Sequence, residues 1–328
     1  MVSKSDFIHI PYTPDLTKGG IAYACRSLPH TYNRMGGSNA KRMRRIVGGI
    51  AVELAFRRYL NEQNIPFDVK GETPFTDPDK YDVSLGGHRC DLKSFMLSRK
   101  KQIGDLNRDW GLLLGASALI PSDQFAASNQ RESDIYIFSF LTGLQASSQK
   151  DMAKAIDAGK PVHLIHTMPK AWAKPKGWHP LGKLVLKSDC DETLTIELGG
   201  QDAERKFLSK TITLKPRERL KTEANFHTLA YVHVDKMPSG RVGIHSPQNN
   251  ETYLIPFSEW KNIWVYGMRV ILAGYLTRAG FRQKAKELPV GSRVFQYSRT
   301  QTKNLVVPVA ALKPLGHLFE QVKGWGRK

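Results

Sequence analysis

Cysteine is scarce in this chain. Cys25, Cys90 and Cys190 lie far apart and are odd in number. No Cys-x-x-Cys or Cys/His ligand spacing occurs, which argues against a disulfide framework and against structural zinc, and fits a reducing cytoplasm. Long apolar runs are also missing. No stretch approaches 18 apolar residues, and neither a signal-peptide core nor a basic amphipathic terminal anchor is visible, so no membrane partner is expected. A Walker loop, a G-x-S-x-G elbow, internal repeats and low-complexity tracts are absent as well. Acidic residues are outnumbered, with 30 Asp+Glu against 49 Lys+Arg, a formal charge of +19. Such an excess suits a polyanion, through phosphate contacts and counterion release. Nucleic acid is therefore the expected partner, DNA first and RNA as the alternative. The 328 residues, 41% of them hydrophobic, are enough for two domains or one elaborated one, each with a true core.

What is present is organised around residues 67–95, FDVKGETPFTDPDKYDVSLGGHRCDLKSF. Three short strands are expected here. The first starts at Phe67, Asp77-Pro78 marks a turn, and residues 81–85 form the second. Gly86-Gly87 is a two-residue hairpin signal, because both glycines tolerate positive φ. His88 to Met96 returns as the third strand. Alternation then puts Cys90 and Leu92 on one face, with Asp91 and Lys93 on the other. The hairpin can bring Asp82 to the same edge. Two carboxylates and an ammonium meeting at a strand end would suit Mg²⁺, with Mn²⁺ able to substitute, and a water on the ion could act as nucleophile. The plain alternative is a solvated hairpin carrying an Asp/Lys pair.

Asp82 followed by Asp91-Leu92-Lys93 after the Gly-Gly turn resembles the PD-(D/E)xK nuclease signature. The resemblance implies that Asp82 and Asp91 bind the metal, with the backbone carbonyl of Leu92 completing the shell, and that Lys93 orients or polarises the attacking water. Tyr81 stands where the name-giving proline would be. Glu53, in the run Gly49-Ile50-Ala51-Val52-Glu53, resembles the glutamate that this superfamily often carries on its first core helix, as an added ligand or base. An exposed Glu53 pairing with Arg57 at i+4 is the other reading. The implied activity is a Mg²⁺-dependent DNA endonuclease leaving 5′ phosphates, in restriction, antiphage defence or repair. A non-catalytic nucleic-acid-binding subunit with a degenerate core, or an RNA nuclease, is the alternative. Cutting both strands from one site per chain would call for a homodimer, a partner protein or repeated nicking.

The remaining elements are read in order. Residues 1–38 are expected to be an irregular arm with at most one short helix near Ala22. A long helix follows, capped by Ser38 or Asn39, with Met43, Ile46, Val47, Ile50 and Leu54 as its apolar stripe. Lys41, Arg42, Arg44 and Arg45 crowd its first turns, the wrong end of the helix dipole for positive charge, so phosphate contact is expected at Lys41, Arg42 and Arg45, with a solvated basic face as the plain alternative. Lys100 and Lys101, in the run Ser98-Arg99-Lys100-Lys101, are expected to hold substrate phosphates, with a solvated loop as the alternative. Next come a helix over 105–120, a buried strand over 134–140, a helix over 146–158 and a buried strand over 161–166. This α-β-β-β-α-β order matches the core of the resembled superfamily, and the expected class is α/β, a restriction-endonuclease-like mixed sheet flanked by helices. It would occupy residues 39–180. Residues 181–328 are expected to form a mainly β domain that binds nucleic acid or a partner. In it residues 229–234 and 241–245 would pair as a hairpin, residues 266–288 would be a helix, and strands at 293–297 and 304–309 would close the chain.

Overall fold

A computed structural model describes residues 1–27, 39–69, 82–127, 129–146, 148–173, 180–263 and 266–325. The chain opens with β1 (Ile8–Pro11), α1 (Pro14–Ser27) and α2 (Asn39–Glu62), then the hairpin β2 (Val83–Leu85) and β3 (His88–Leu97). It continues through α3 (Lys100–Arg108), β4 (Ser117–Pro121), α4 (Ser122–Ala127), β5 (Ile135–Leu144), α5 (Gln149–Asp157), β6 (Leu164–Thr167) and α6 (Lys170–Ala173). Strands dominate thereafter: β7 (Gly182–Ser188), β8 (Leu194–Gln201), β9 (Phe207–Leu214), β10 (Arg219–Phe226), β11 (Thr228–Val234), β12 (Val242–Ser246), β13 (Glu251–Ile255), β14 (Lys261–Asn262) and β15 (Tyr266–Thr277). α7 (Arg278–Lys284), β16 (Lys286–Leu288), β17 (Asn304–Pro308) and α8 (Leu315–Trp325) complete it. The protein is mixed α/β, with a mostly β C-terminal part.

The first sheet has the order β1-β15-β5-β3-β2, with β3 and β5 parallel and every other pair antiparallel. One of its faces packs Cys90, Leu92, Ile135 and Ile137 against Met43, Val47, Ala51 and Phe56 of α2. The other packs Phe95, Phe138 and Phe140 against α3, α7 and the small sheet β16-β17-β4. β5 is buried along nearly its whole length, as its continuous apolar run requires. Two further sheets, β14-β6-β11-β8-β9 and β10-β7-β12-β13, close over a third core that includes Leu186, Ile196, Val232 and Ile244.

Several expectations are corrected. Residues 4–27 are not an irregular arm. They hold a strand paired with β15 and a 14-residue helix whose Leu16, Ile21 and Ala24 are buried. The helix expected over 105–120 starts at Lys100, breaks at Asp109 into a 3₁₀ turn, and gives way to β4, which pairs with β17. The strand at 164–167 belongs to the sheet of β11, not to that of β5. Strands β11 and β12 do not pair with each other; β11 joins β6 and β8, while β12 joins β7 and β13. Residues 266–277 are a strand, with a helix only from 278 to 284, and residues 293–297 form no strand. β15 lies between β1 and β5, so the first sheet draws strands from both sides of the expected boundary at 180–181. The expected strand at 67–70 is described only as far as residue 69, where Asp68 bridges to Ser84; the turn at Asp77-Pro78 and the Ser38 cap lie outside the described residues.

Candidate functional site

Gly86 and Gly87 adopt φ of 55° and 79°, so the hairpin turns as the glycine pair requires. The ladder pairs Val83 with Cys90, and one further step places Asp82 opposite Asp91. The chain bends there, with the Asp82 N–H donating to the Cys90 carbonyl at 3.0 Å. The Leu92 N–H donates to Asp82 Oδ2 at 2.5 Å. A strand residue's N–H and C=O lie on the same edge, so the Leu92 carbonyl also faces the Asp82 side. Lys93 Nζ lies 2.7 Å from Asp91 Oδ2, with both side chains about one-fifth exposed (20% and 23%). Strand pairing thus brings Asp82, Asp91, Leu92 and Lys93 together where β2 stops and β3 runs on.

The electrostatics of this fork are unbalanced. Burial, and then the charge of Asp91, push the Asp82 carboxyl up to about 7, against the Leu92 N–H, Lys93 and Arg57. Burial alone would pull Lys93 down, but Asp91 and then Asp82 outweigh it, so its ammonium stays charged. Burial pushes the Cys90 thiol up, in keeping with a small core residue. Two oxygen-donor carboxylates and a main-chain carbonyl fit a Mg²⁺ ion, which keeps several waters and needs only one or two carboxylates from the protein. Among the described residues no three His, Cys, Asp or Glu side chains group as a ready metal site.

Glu53 therefore does not join the two aspartates. Its carboxylate lies 4.0 Å from Arg57 Nη2, the i+4 pair, and the same nitrogen donates to the Asp82 carbonyl at 3.0 Å. Arg57 is the clamp between helix and hairpin. Gln130 was not legible either; its Nε2 donates to Asp91 Oδ2 at 3.4 Å. Arg42 and Arg45 line a cavity of about 540 Å³ that Lys93 also lines. Lys41, Lys100 and Lys101 are exposed and do not reach that cavity.

Comparison with known proteins gives no match. No family model fits the chain, and no curated protein or solved structure is similar to it. The resemblance at Asp82, Asp91 and Lys93 thus has only the geometry of these residues beside it. No described helix is long and apolar enough to cross a membrane.

Proposed function

We propose that the chain is a metal-dependent phosphodiesterase acting on nucleic acid, with DNA as the first candidate substrate, and that the sheet β5-β3-β2 with α2 and α3 is a restriction-endonuclease-like core. The observation that carries the reading is the fork itself, two carboxylates and a charged lysine held by backbone pairing at one strand end. Asp82, Asp91 and the Leu92 carbonyl would hold Mg²⁺ or Mn²⁺. When bound, the ion supplies positive charge to an oxyanion developing at phosphorus. Lys93, kept charged by Asp91, donates a hydrogen bond and does not accept a proton; it can orient a water or a non-bridging phosphate oxygen. Attack by water oxygen forms the new P–O bond as the bond to the 3′ oxygen breaks; the water gives up its proton to solvent and the departing 3′ oxygen takes one from solvent, leaving a 5′ phosphate and a 3′ hydroxyl. The formal charge of +19 supports a polyanionic substrate.

The test is cleavage of plasmid DNA and of RNA with Mg²⁺ or Mn²⁺, comparing the wild type with Lys93→Ala and with EDTA. Metal-dependent cutting that falls about 10²- to 10³-fold in the variant supports the reading. No metal-dependent cutting on either substrate, with DNA still retained on a gel, favours a second reading. That reading is a non-catalytic binding subunit, in which the Asp91–Lys93 pair only braces the strand end, and Asp91→Ala then leaves binding unchanged.

A further inference from the structure

The cavity beside Lys93 has a composition that the hydrolytic fork does not use. One wall is α2, through the half-buried Arg42 and Arg45. Another is the segment 297–304, which contributes Tyr297 and the exposed Arg299. Phe95 backs Tyr297 edge to face, with ring centroids 6.4 Å apart. None of the described residues lining the cavity is acidic. We propose that this cavity is a nucleotide pocket, taking one nucleotide unit with its phosphate at Arg42 and Arg45 and its base against Tyr297.

Three features support that assignment. Cations and an aromatic ring share one enclosure, matching the two halves of a nucleotide, since a base stacks on a ring while a phosphate takes guanidinium donors. Burial holds the Tyr297 phenol up at about 12, with Arg45 acting in the opposite direction, which places that guanidinium beside the ring. The volume of about 540 Å³ falls in the roughly 300–1,000 Å³ span of pockets that enclose one small organic ligand. It therefore admits a single extruded or unpaired nucleotide and not a stacked duplex.

The wall is also built in advance. Arg99 Nη2 and Gln102 Nε2 both donate to the Phe295 carbonyl at 2.7 Å. Gln296 Nε2 donates to the Ser117 carbonyl at 2.6 Å, and the Ser122 N–H to the Lys303 carbonyl at 3.0 Å. The Thr300 hydroxyl donates to the Pro289 carbonyl at 2.9 Å. Little ordering remains to be done on binding. If the hydrolytic reading of Lys93 holds, the bound unit is the one next to the scissile phosphate, and the enzyme acts on single-stranded or locally opened nucleic acid.

The test is equilibrium binding of 5′-dAMP and of inorganic phosphate in EDTA, where no turnover occurs. The nucleotide should bind more tightly than phosphate. Arg45→Gln should weaken 5′-dAMP about tenfold. Tyr297→Leu should weaken 5′-dAMP and leave phosphate unchanged, while Tyr297→Phe keeps the ring and the fold and retains nucleotide binding. Nucleotide binding no tighter than phosphate, or unaffected by Arg45→Gln, overturns the pocket even if plasmid cleavage is intact; binding without cleavage leaves the pocket standing and sinks only the hydrolytic reading. Displacement of a fluorescent single-stranded oligonucleotide by 5′-dAMP assigns the unit to the strand. Binding without displacement overturns that placement and makes the occupant a free nucleotide.

Discussion

Arg278 is tied to Asp91 through a single side chain, that of Gln130. Gln130 Nε2 donates to Asp91 Oδ2 at 3.4 Å, and its Oε1 accepts from Arg278 Nη1 at 3.5 Å. Arg278 is buried at 7% exposure, donates to the Tyr136 hydroxyl at 3.2 Å and the Phe125 carbonyl at 2.8 Å, and lies 4.4 Å from the centre of the Phe125 ring. A buried guanidinium thus stands behind the fork and reaches one oxygen of Asp91 through Gln130, while Lys93 holds the same oxygen at 2.7 Å.

If the proposed hydrolysis occurs at the fork, Gln130→Ala is expected to lower kcat about tenfold with KM nearly unchanged, because a displaced Asp91 misplaces the reacting groups. Arg278→Met should cost about 3 kcal/mol of stability, since it strips the buried groups around it of their donor. Steady-state kinetics and urea melts separate the two. A kcat for Gln130→Ala equal to wild type would remove Gln130 from any positioning role.

The Asp82 carboxylate faces Asp91 in a partly buried site, and like charges across a strand pair are unfavourable. Asp82→Asn keeps an oxygen for the Leu92 N–H and removes one charge. The metal-free variant should be more stable than wild type by about 1 kcal/mol and, on the proposed function, should lose cutting, a trade common at functional sites. Added Mg²⁺ should raise the wild-type Tm and leave that of the variant unmoved. A variant less stable than wild type would show that the two charges are not in conflict.

Acid should unfold the protein partly through His163. This side chain is 5% exposed, stacks on His233 at 6.0 Å, and its Nε2 has no hydrogen-bond partner among the described residues. Burial, then the charges of His233 and Lys18, lower it from 6.5 to about 4. The folded value is below the unfolded one, so its contribution is complete above pH 6.5 and is lost as pH falls through 4. The loss is about 3 kcal/mol. His163→Phe should flatten the slope of stability against pH between 6.5 and 4, read from urea midpoints. An unchanged slope would assign acid sensitivity to other groups.

Gly199 and Gly200 on β8 are fixed by packing. A Cβ on Gly199 would lie 1.7 Å from the Tyr231 ring, and one on Gly200 1.9 Å from the Thr228 carbonyl oxygen, where the β8–β11 register shifts. Gly200→Ala is expected to destabilise by about 2–4 kcal/mol, because backbone cannot yield as a side chain can. Gly199→Ala should also break the bond from the Tyr231 hydroxyl to Glu197 Oε1, which is 2.8 Å long. Thermal melts of both variants would check this, and near-wild-type values would contradict it.

The fork was legible because its determinants are local. Gly86-Gly87 dictates the turn, the turn sets the register, and the register faces Asp82 toward Asp91. β5 was legible from its unbroken apolar run. β15 was not, since a buried apolar run of that kind reads equally well as helix. What decides it is tertiary: Gly274, at φ 152°, passes where a Cβ would lie 2.8 Å from the Lys313 carbonyl, within a strand held between β1 and β5. At Glu53 the i+4 pairing with Arg57 was legible and its distance from the aspartates was not, because helix periodicity fixes a face and not a distance. Gln130, Arg278 and Tyr297 reach the site from remote segments, and no spacing in sequence announces such a meeting.

The placing of β15 has a consequence for synthesis. β5 emerges from the ribosome long before its partner at residues 266–277, so until then its edge, and that of β1, has nothing to pair with. The nascent chain is exposed to aggregation through this interval, and its fork rests on an unfinished support. On the hydrolytic reading, the fork would thus stay without its full support until residues 266–277 have been translated.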